Sequence, residues 1–267
     1  MKTKVQILKR IKSIPGDFNL LEELSSSPVS KVFLCTFNNI HSVIRIDLLP
    51  ASKLAIDRRN EINLLETLIP LDLSPKILYF DEQAGLMIWK YISGKEPIFD
   101  LVGKNKCSLN ELGRSLNLIH SSLIPQNSKN IFTNSLNLYK NLLNDTPDQY
   151  YFNKAIDLYH ELIDDGVSHV FSHNDLHKSN LIWCKKFYFL DWEYSSLNHP
   201  YFDIASLIRS FKLNEKQAND LYLGYISNNN ILDLSNIEKW INFIEYLENV
   251  WKISLKRIQA NQYINLL

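Results

Sequence analysis

His173-Asn174-Asp175-Leu176-His177-Lys178-Ser179-Asn180, followed eleven residues on by Asp191-Trp192-Glu193, is the stretch on which the reading of this chain turns. Two short β runs, 180–184 and 187–190, flank Lys185-Lys186 between these blocks and read as a hairpin. Asp175, Asn180 and Asp191 offer carboxylate and amide oxygens, the donors that suit a hard cation, with no thiol among them. The same residues could also form a plain polar turn, because Asp and Asn are turn formers.

An Asp followed five residues later by Asn is the spacing of the protein-kinase catalytic loop. Phosphoryl transfer needs that spacing: Asp175 would accept the proton of an attacking hydroxyl, Asn180 would turn back to hold a magnesium ion, and Asp191, beyond the next strand, would add a second oxygen ligand that ties the metal to the phosphates. Upstream, Val43-Ile44-Arg45 sits where such a strand carries its phosphate-binding cation, here Arg rather than Lys, and Glu61 on the following helix can pair with it. The loop Leu24-Ser25-Ser26-Ser27-Pro28-Val29-Ser30-Lys31 would cover the phosphates. It has no glycine, so contacts fall to backbone N–H groups and to hydroxyls such as those of Ser26 and Ser30. Met87-Ile88-Trp89-Lys90-Tyr91-Ile92 reads as a hinge, with Trp89 and Tyr91 at the adenine.

Around this core the pattern changes near residue 100. Before it, strands are expected over 18–24, 31–37, 41–47, 75–80 and 86–92, with helices over 5–14 and 52–69. After it, helices dominate: from the capping box Ser108–Glu111 through residue 123, then 136–143, 151–163, 202–211, 215–226 and 235–258. The expected architecture is α+β and two-lobed: a small antiparallel sheet with one helix over 1–92, and a mainly helical lobe over 93–267.

The runs FSHNDLHKSNLIW and FYFLDWEYSSLNHPYFDIASL, with PKILYFDEQAGLMIWKYISGKEP and LGRSLNLIH upstream, resemble the choline/ethanolamine kinase and aminoglycoside phosphotransferase superfamily. The choline kinase and bacterial thiamine kinase branch is the nearest likeness, and the shared motifs span residues 25–207. The resemblance implies a protein-kinase-like fold and ATP-dependent phosphorylation of a small-molecule hydroxyl. It makes Asp175 the base, Asn180 and Asp191 the Mg2+ ligands, and Arg45 with Glu61 the phosphate clamp. Asp203 resembles the family's buried aspartate that holds the catalytic loop and equally reads as a helix N-terminal charge favoured by the dipole; His173 reads as a brace for the loop. The missing loop glycines depart from the family, as does Lys178-Ser179 where Pro-Gly is common.

Choline or ethanolamine is the first expected substrate, thiamine the second. An aminoglycoside kinase and a pseudokinase that only binds are the rivals. A quaternary ammonium donates no strong hydrogen bond and is held by aromatic faces and carboxylates. Trp192, Tyr194, Tyr201, Trp240, Tyr246 and Trp251, with Glu193 nearby in sequence, are the candidates for that wall. The C-terminal helix also reads as a packing stripe through Trp240, Ile244, Leu247, Trp251, Leu255 and Ile258. His120 reads as a buried, satisfied histidine, and His177 as a site-lining or turn residue. The basic N-terminal helix, with Lys2, Lys4, Lys9, Arg10 and Lys12, reads as a solvated face.

Composition agrees. The 267 residues are 45% hydrophobic and 12% aromatic, enough for a large core. Lys+Arg and Asp+Glu are both 29, which argues against an electrostatically driven nucleic-acid partner. No apolar run is long enough to span a bilayer. Three scattered cysteines suit a reducing cytoplasm.

Overall fold

The computed structural model describes residues 2–99, 107–125, 127–226 and 233–264. Contacts divide the chain into two compact units: Met1–Lys53 with Pro75–Ser93, and Leu54–Ser74 with Gly94–Leu267.

The first unit is a sheet with a helix packed on it. Helix α1 (Lys2–Ile11) precedes strands β1 (Phe18–Ser26), β2 (Ser30–Phe37), β3 (Ile40–Asp47), β4 (Ile77–Asp81) and β5 (Leu86–Lys90). All pairs are antiparallel, in the order β1-β2-β3-β5-β4. Period-two alternation buries Phe33, Cys35 and Phe37 of β2 against Ile44 and Ile46 of β3 and Leu86 and Ile88 of β5, and Ile7 and Ile14 close that core. Asn38 and Asn39, at φ 49° and 62°, make the two-residue turn that joins β2 to β3. β1 is an exposed edge strand with two register shifts, which blunt it as a pairing template. Arg10 departs from the expected solvated face. Its guanidinium donates to Asp47 O at 2.6 Å and Gly85 O at 2.8 Å, and so ties α1 to the sheet.

The helix expected over 52–69 is interrupted. A short 3-10 turn over Ala51–Leu54 ends at Ala55, whose φ is 59°. Asp57 then caps α2 (Arg58–Leu68), accepting from Asn60 N–H at 2.9 Å. The sequence pattern groups this helix with the sheet, whereas its contacts group it with the helical unit. There Asn60 accepts the Lys129 N–H at 3.0 Å, and the Lys129 ammonium pairs with Asp57.

The second unit continues with α3 (Leu109–His120), α4 (Ile131–Leu143), α5 (Gln149–Ile163), β6 (Val170–Ser172), β7 (Leu181–Trp183), β8 (Phe187–Phe189), β9 (Ser196–Asn198), α6 (Pro200–Phe211), α7 (Glu215–Tyr225) and α8 (Leu234–Ile264). Ser108 and Glu111 close the expected capping box on α3. α8 packs on α4, α5 and α6. α3 crosses α7 so closely that a Cβ on Gly113 would lie 2.1 Å from Leu221 O, a spacing only glycine permits. β7 and β8 form the expected hairpin, and β6 pairs with β9 in a ladder the sequence did not announce. Among the described residues no helix is long and apolar enough to cross a membrane.

Candidate active site

The segment His173–Asn180 leaves β6 and is held from beneath by one carboxylate. Asp203, in the first turn of α6 and fully buried, accepts the N–H groups of His173 at 2.7 Å and Asn174 at 2.9 Å. His120 Nε2 lies 3.1 Å from the same carboxylate, and its Nδ1 lies 2.9 Å from Tyr225 Oη. Elements α3, α6 and α7 thus meet at the start of the loop. Asn174 takes φ 64°, a left-handed conformation that Asn tolerates. Its side-chain amide donates to Tyr194 O and Ser196 Oγ, both at 3.0 Å, and accepts from Asn198 Nδ2 at 2.8 Å. These contacts give the β6–β9 ladder its purpose, because they join the loop to the segment after Asp191.

His173 braces the other side. Burial pushes its imidazole down to about 4, so the ring is neutral at neutral pH. Nε2 lies 2.8 Å from Leu190 O and carries the proton donated there. The ring is 4.6 Å from that of the buried Trp192. Asp191, immediately after Leu190, holds φ 62°, an unfavourable backbone for a non-glycine residue.

Asp175 keeps 36% of its side chain exposed. Asn180 Nδ2 donates to Asp175 O at 2.9 Å and Asp175 Oδ2 at 3.2 Å. The carboxyl is held well above the usual carboxylate range, first by the protein that surrounds it and then by the charges of Asp191 and Glu193. Asn180 opposes that shift. A carboxylate raised in this way is a better proton acceptor near neutral pH. His177 Nε2 lies 3.8 Å from Asp175 Oδ2, beyond hydrogen-bond reach.

Glu193 is 11% exposed and accepts from Arg58 Nη1 at 2.6 Å. The same Arg58 nitrogen donates to Glu61 at 2.9 Å. Tyr194 accepts weakly from Trp251 Nε1 at 3.3 Å. Tyr139, Tyr194, Glu193 and Asp175 lie near enough for their charges to interact. Both phenols are raised, first by burial, and for both the Asp175 and Glu193 carboxylates add to the shift. Tyr139 and Trp251 also wall one small hollow. An aromatic and acidic cluster therefore stands beside Asp175.

The expected aromatic wall divides. Trp240 belongs to the core: it is fully buried, stacks on His199 at 4.8 Å and meets Tyr159, Phe202 and Phe243 edge-on. In that position it has no face to offer a ligand, which corrects its assignment to substrate. Tyr246 is half-buried and lies five residues before Trp251, about 140° round the helix from it. Arg58, Tyr139, Asn174, Ser196 and Asn198 were missed by motif reasoning. None left a trace in the sequence: Arg58 falls in the first turn of a helix only because of the break at Ala55, which the expected helix over 52–69 did not contain.

The sheet unit carries the other expected residues. Ser26 ends β1 exposed, and Ser30 starts β2 half-buried. Between them Ser27 Oγ accepts the N–H groups of Val29 at 3.2 Å and Ser30 at 3.0 Å, closing the glycine-free turn. Arg45 is buried in β3 with Asp47 at 3.7 Å. Trp89 pairs with Val43 and Ile77 in the sheet, and Tyr91 N–H donates to His41 O at 3.0 Å. Glu61 lies on α2 in the helical unit.

The donor set fits a magnesium ion. Asn180 uses its amide hydrogens on Asp175, which leaves its oxygen for a cation, and Asp191 adds a carboxylate. Among the described residues no group of three His, Cys, Asp or Glu side chains is placed to hold a metal. Magnesium needs no such cage, since it takes one or two carboxylates plus phosphates and water.

A family model for choline/ethanolamine kinase matches residues 19–267. A LicA homologue of Mycoplasma capricolum subsp. capricolum is 30% identical over 203 residues, which are 70% of this chain and 74% of that one. The crystal structure of choline kinase LicA from Streptococcus pneumoniae superposes with a TM-score of 0.75 at 22% identity, covering 97% of this chain and 92% of that one. A LicA structure in complex with AMP gives a TM-score of 0.71 at 21% identity, covering 95% and 90%. The fold is therefore the kinase-like fold that these structures share. The match over nearly the whole length makes this chain a member of the choline/ethanolamine kinase family and a small-molecule phosphotransferase.

Proposed function

We propose that this enzyme transfers the γ-phosphoryl group of ATP to the hydroxyl of a small cationic alcohol, choline or ethanolamine first. The observation that carries this reading is the cluster of Glu193, Tyr139, Tyr194 and Trp251 beside the Asp175 carboxyl. A cationic head group gains from aromatic faces and carboxylates, and a neutral alcohol gains little from either.

Asp175 receives the hydroxyl proton of the bound alcohol and orients its oxygen toward the phosphoryl group. Asn180 fixes Asp175 through the two bonds to its carbonyl and carboxylate. His173 and Asp203 hold the loop beneath them, so the base is positioned before substrate arrives. Asn180 and Asp191 would hold Mg2+, which when bound neutralises charge on the phosphates. Arg45 and the Ser26–Ser30 turn are assigned to the nucleotide, with Trp89 and Tyr91 at its base. Nucleotide use is supported by the family and by the relative solved with AMP. Three free cysteines support placing the enzyme in the reducing cytoplasm.

An ATP-consumption screen against choline, ethanolamine, thiamine and an aminoglycoside tests the reading. Choline or ethanolamine should give the highest kcat/KM. Turnover confined to thiamine or the aminoglycoside would overturn it.

A further inference from the structure

We infer that Arg58 is a positioning residue for substrate selection: it holds the Glu193 carboxylate at the acceptor pocket and shares that hold with Glu61. The inference rests on the cationic-alcohol reading and adds the residue that makes the acidic wall possible.

Three observations carry it. First, Arg58 and Glu193 are 135 residues apart in sequence, and their 2.6 Å bond joins the start of α2 to the segment just after Asp191. Second, all three members are buried or nearly so: Arg58 is 6% exposed, Glu61 2% and Glu193 11%. A carboxylate so enclosed has little water to hold its oxygens, and the Arg58 guanidinium takes that place at 2.6 Å. Third, Arg58 opens α2, where the helix dipole disfavours a cation. Its placement runs against local helix preference, and the two carboxylates it bridges account for it. One guanidinium nitrogen serves both carboxylates, so Arg58 fixes where Glu193 points relative to Glu61.

The readout is the selectivity ratio, kcat/KM for choline over kcat/KM for its neutral isostere 3,3-dimethylbutanol. It is measured on the full chain and on Arg58→Met, Arg58→Lys, Glu193→Gln and the Arg58→Met/Glu193→Gln double variant. Wild type should prefer choline. Glu193→Gln and Arg58→Met should each cut the ratio about tenfold, chiefly through the choline KM, and the double variant should lose no more than either alone. Arg58→Lys, which keeps a cation, should recover part of the ratio. A purely structural Arg58 would lower stability and both kcat/KM values together, leaving the ratio within about twofold; that result would overturn the inference. Should Arg58→Met fail to fold, the lysine variant and the double variant, which removes both charges, still decide it: unchanged ratios in both refute it. A wild-type ratio near one would instead overturn the cationic-alcohol reading and this inference with it.

Discussion

Asp203→Asn isolates how the catalytic loop is held. The carboxylate accepts two successive backbone N–H groups at 2.7 and 2.9 Å and lies 3.1 Å from His120 Nε2. An amide keeps one acceptor oxygen and turns an NH2 toward a backbone donor. One bond to a charged acceptor is lost, at about 1.5–3 kcal/mol, and the surviving bond falls to the strength of a neutral one. Together these cost about 3 kcal/mol, a large share of a stability of about 5–15 kcal/mol. At about 2–4 °C per kcal/mol for a unit of this size, Tm should drop by about 6–12 °C. Turnover should fall further than stability suggests, because His173 and Asn174 immediately precede Asp175. A displacement of the base by about 1 Å costs about a hundredfold in rate. The assay pairs thermal unfolding with steady-state kinetics well below the new Tm. An Asp203→Asn protein with Tm within about 2 °C of wild type and kcat within about twofold would refute the account of the loop.

Asp175→Asn should leave unfolding and ATP affinity nearly unchanged while lowering kcat by a hundredfold or more, since only proton acceptance is removed; calorimetry and kinetics on one preparation check both halves. Trp240→Leu and Trp251→Leu should separate cleanly. The first should cost about 2–4 kcal/mol of stability with KM for choline near normal, and the second should raise that KM about tenfold with a smaller loss of Tm. For His173, the folded pKa of about 4 lies below the unfolded value of 6.5, so the unfolded chain binds more protons between these limits. Its contribution is complete above pH 6.5 and is lost as pH falls toward 4, a loss of roughly 3 kcal/mol. Denaturant unfolding across that range should show a flatter acid limb in His173→Gln than in wild type.

What the sequence determined by itself is chemistry tied to local spacing. Asp175 and Asn180 sit five residues apart on one loop, and the hairpin leading to Asp191 follows from two apolar runs around a lysine pair. The antiparallel sheet was legible for the same reason: period-two alternation in β2 and the Asn38-Asn39 turn are local signals. What depended on distant neighbours was not legible. Trp240 and Trp251 lie eleven residues apart, so helical periodicity puts them on nearly the same face. Only tertiary packing gives the first to a core of Tyr159, Phe202 and Phe243 and turns the second toward Tyr194. The break before α2 rests on a left-handed Ala55, which no apolar pattern announces. The partner of Glu193 lies 135 residues upstream, and Tyr139 reaches the site from a helix with no motif at all. Spacing along a chain fixes which groups share a turn or a face. Which groups from separate segments meet in a low-dielectric pocket, and so which charges survive there, is decided only when those segments pack.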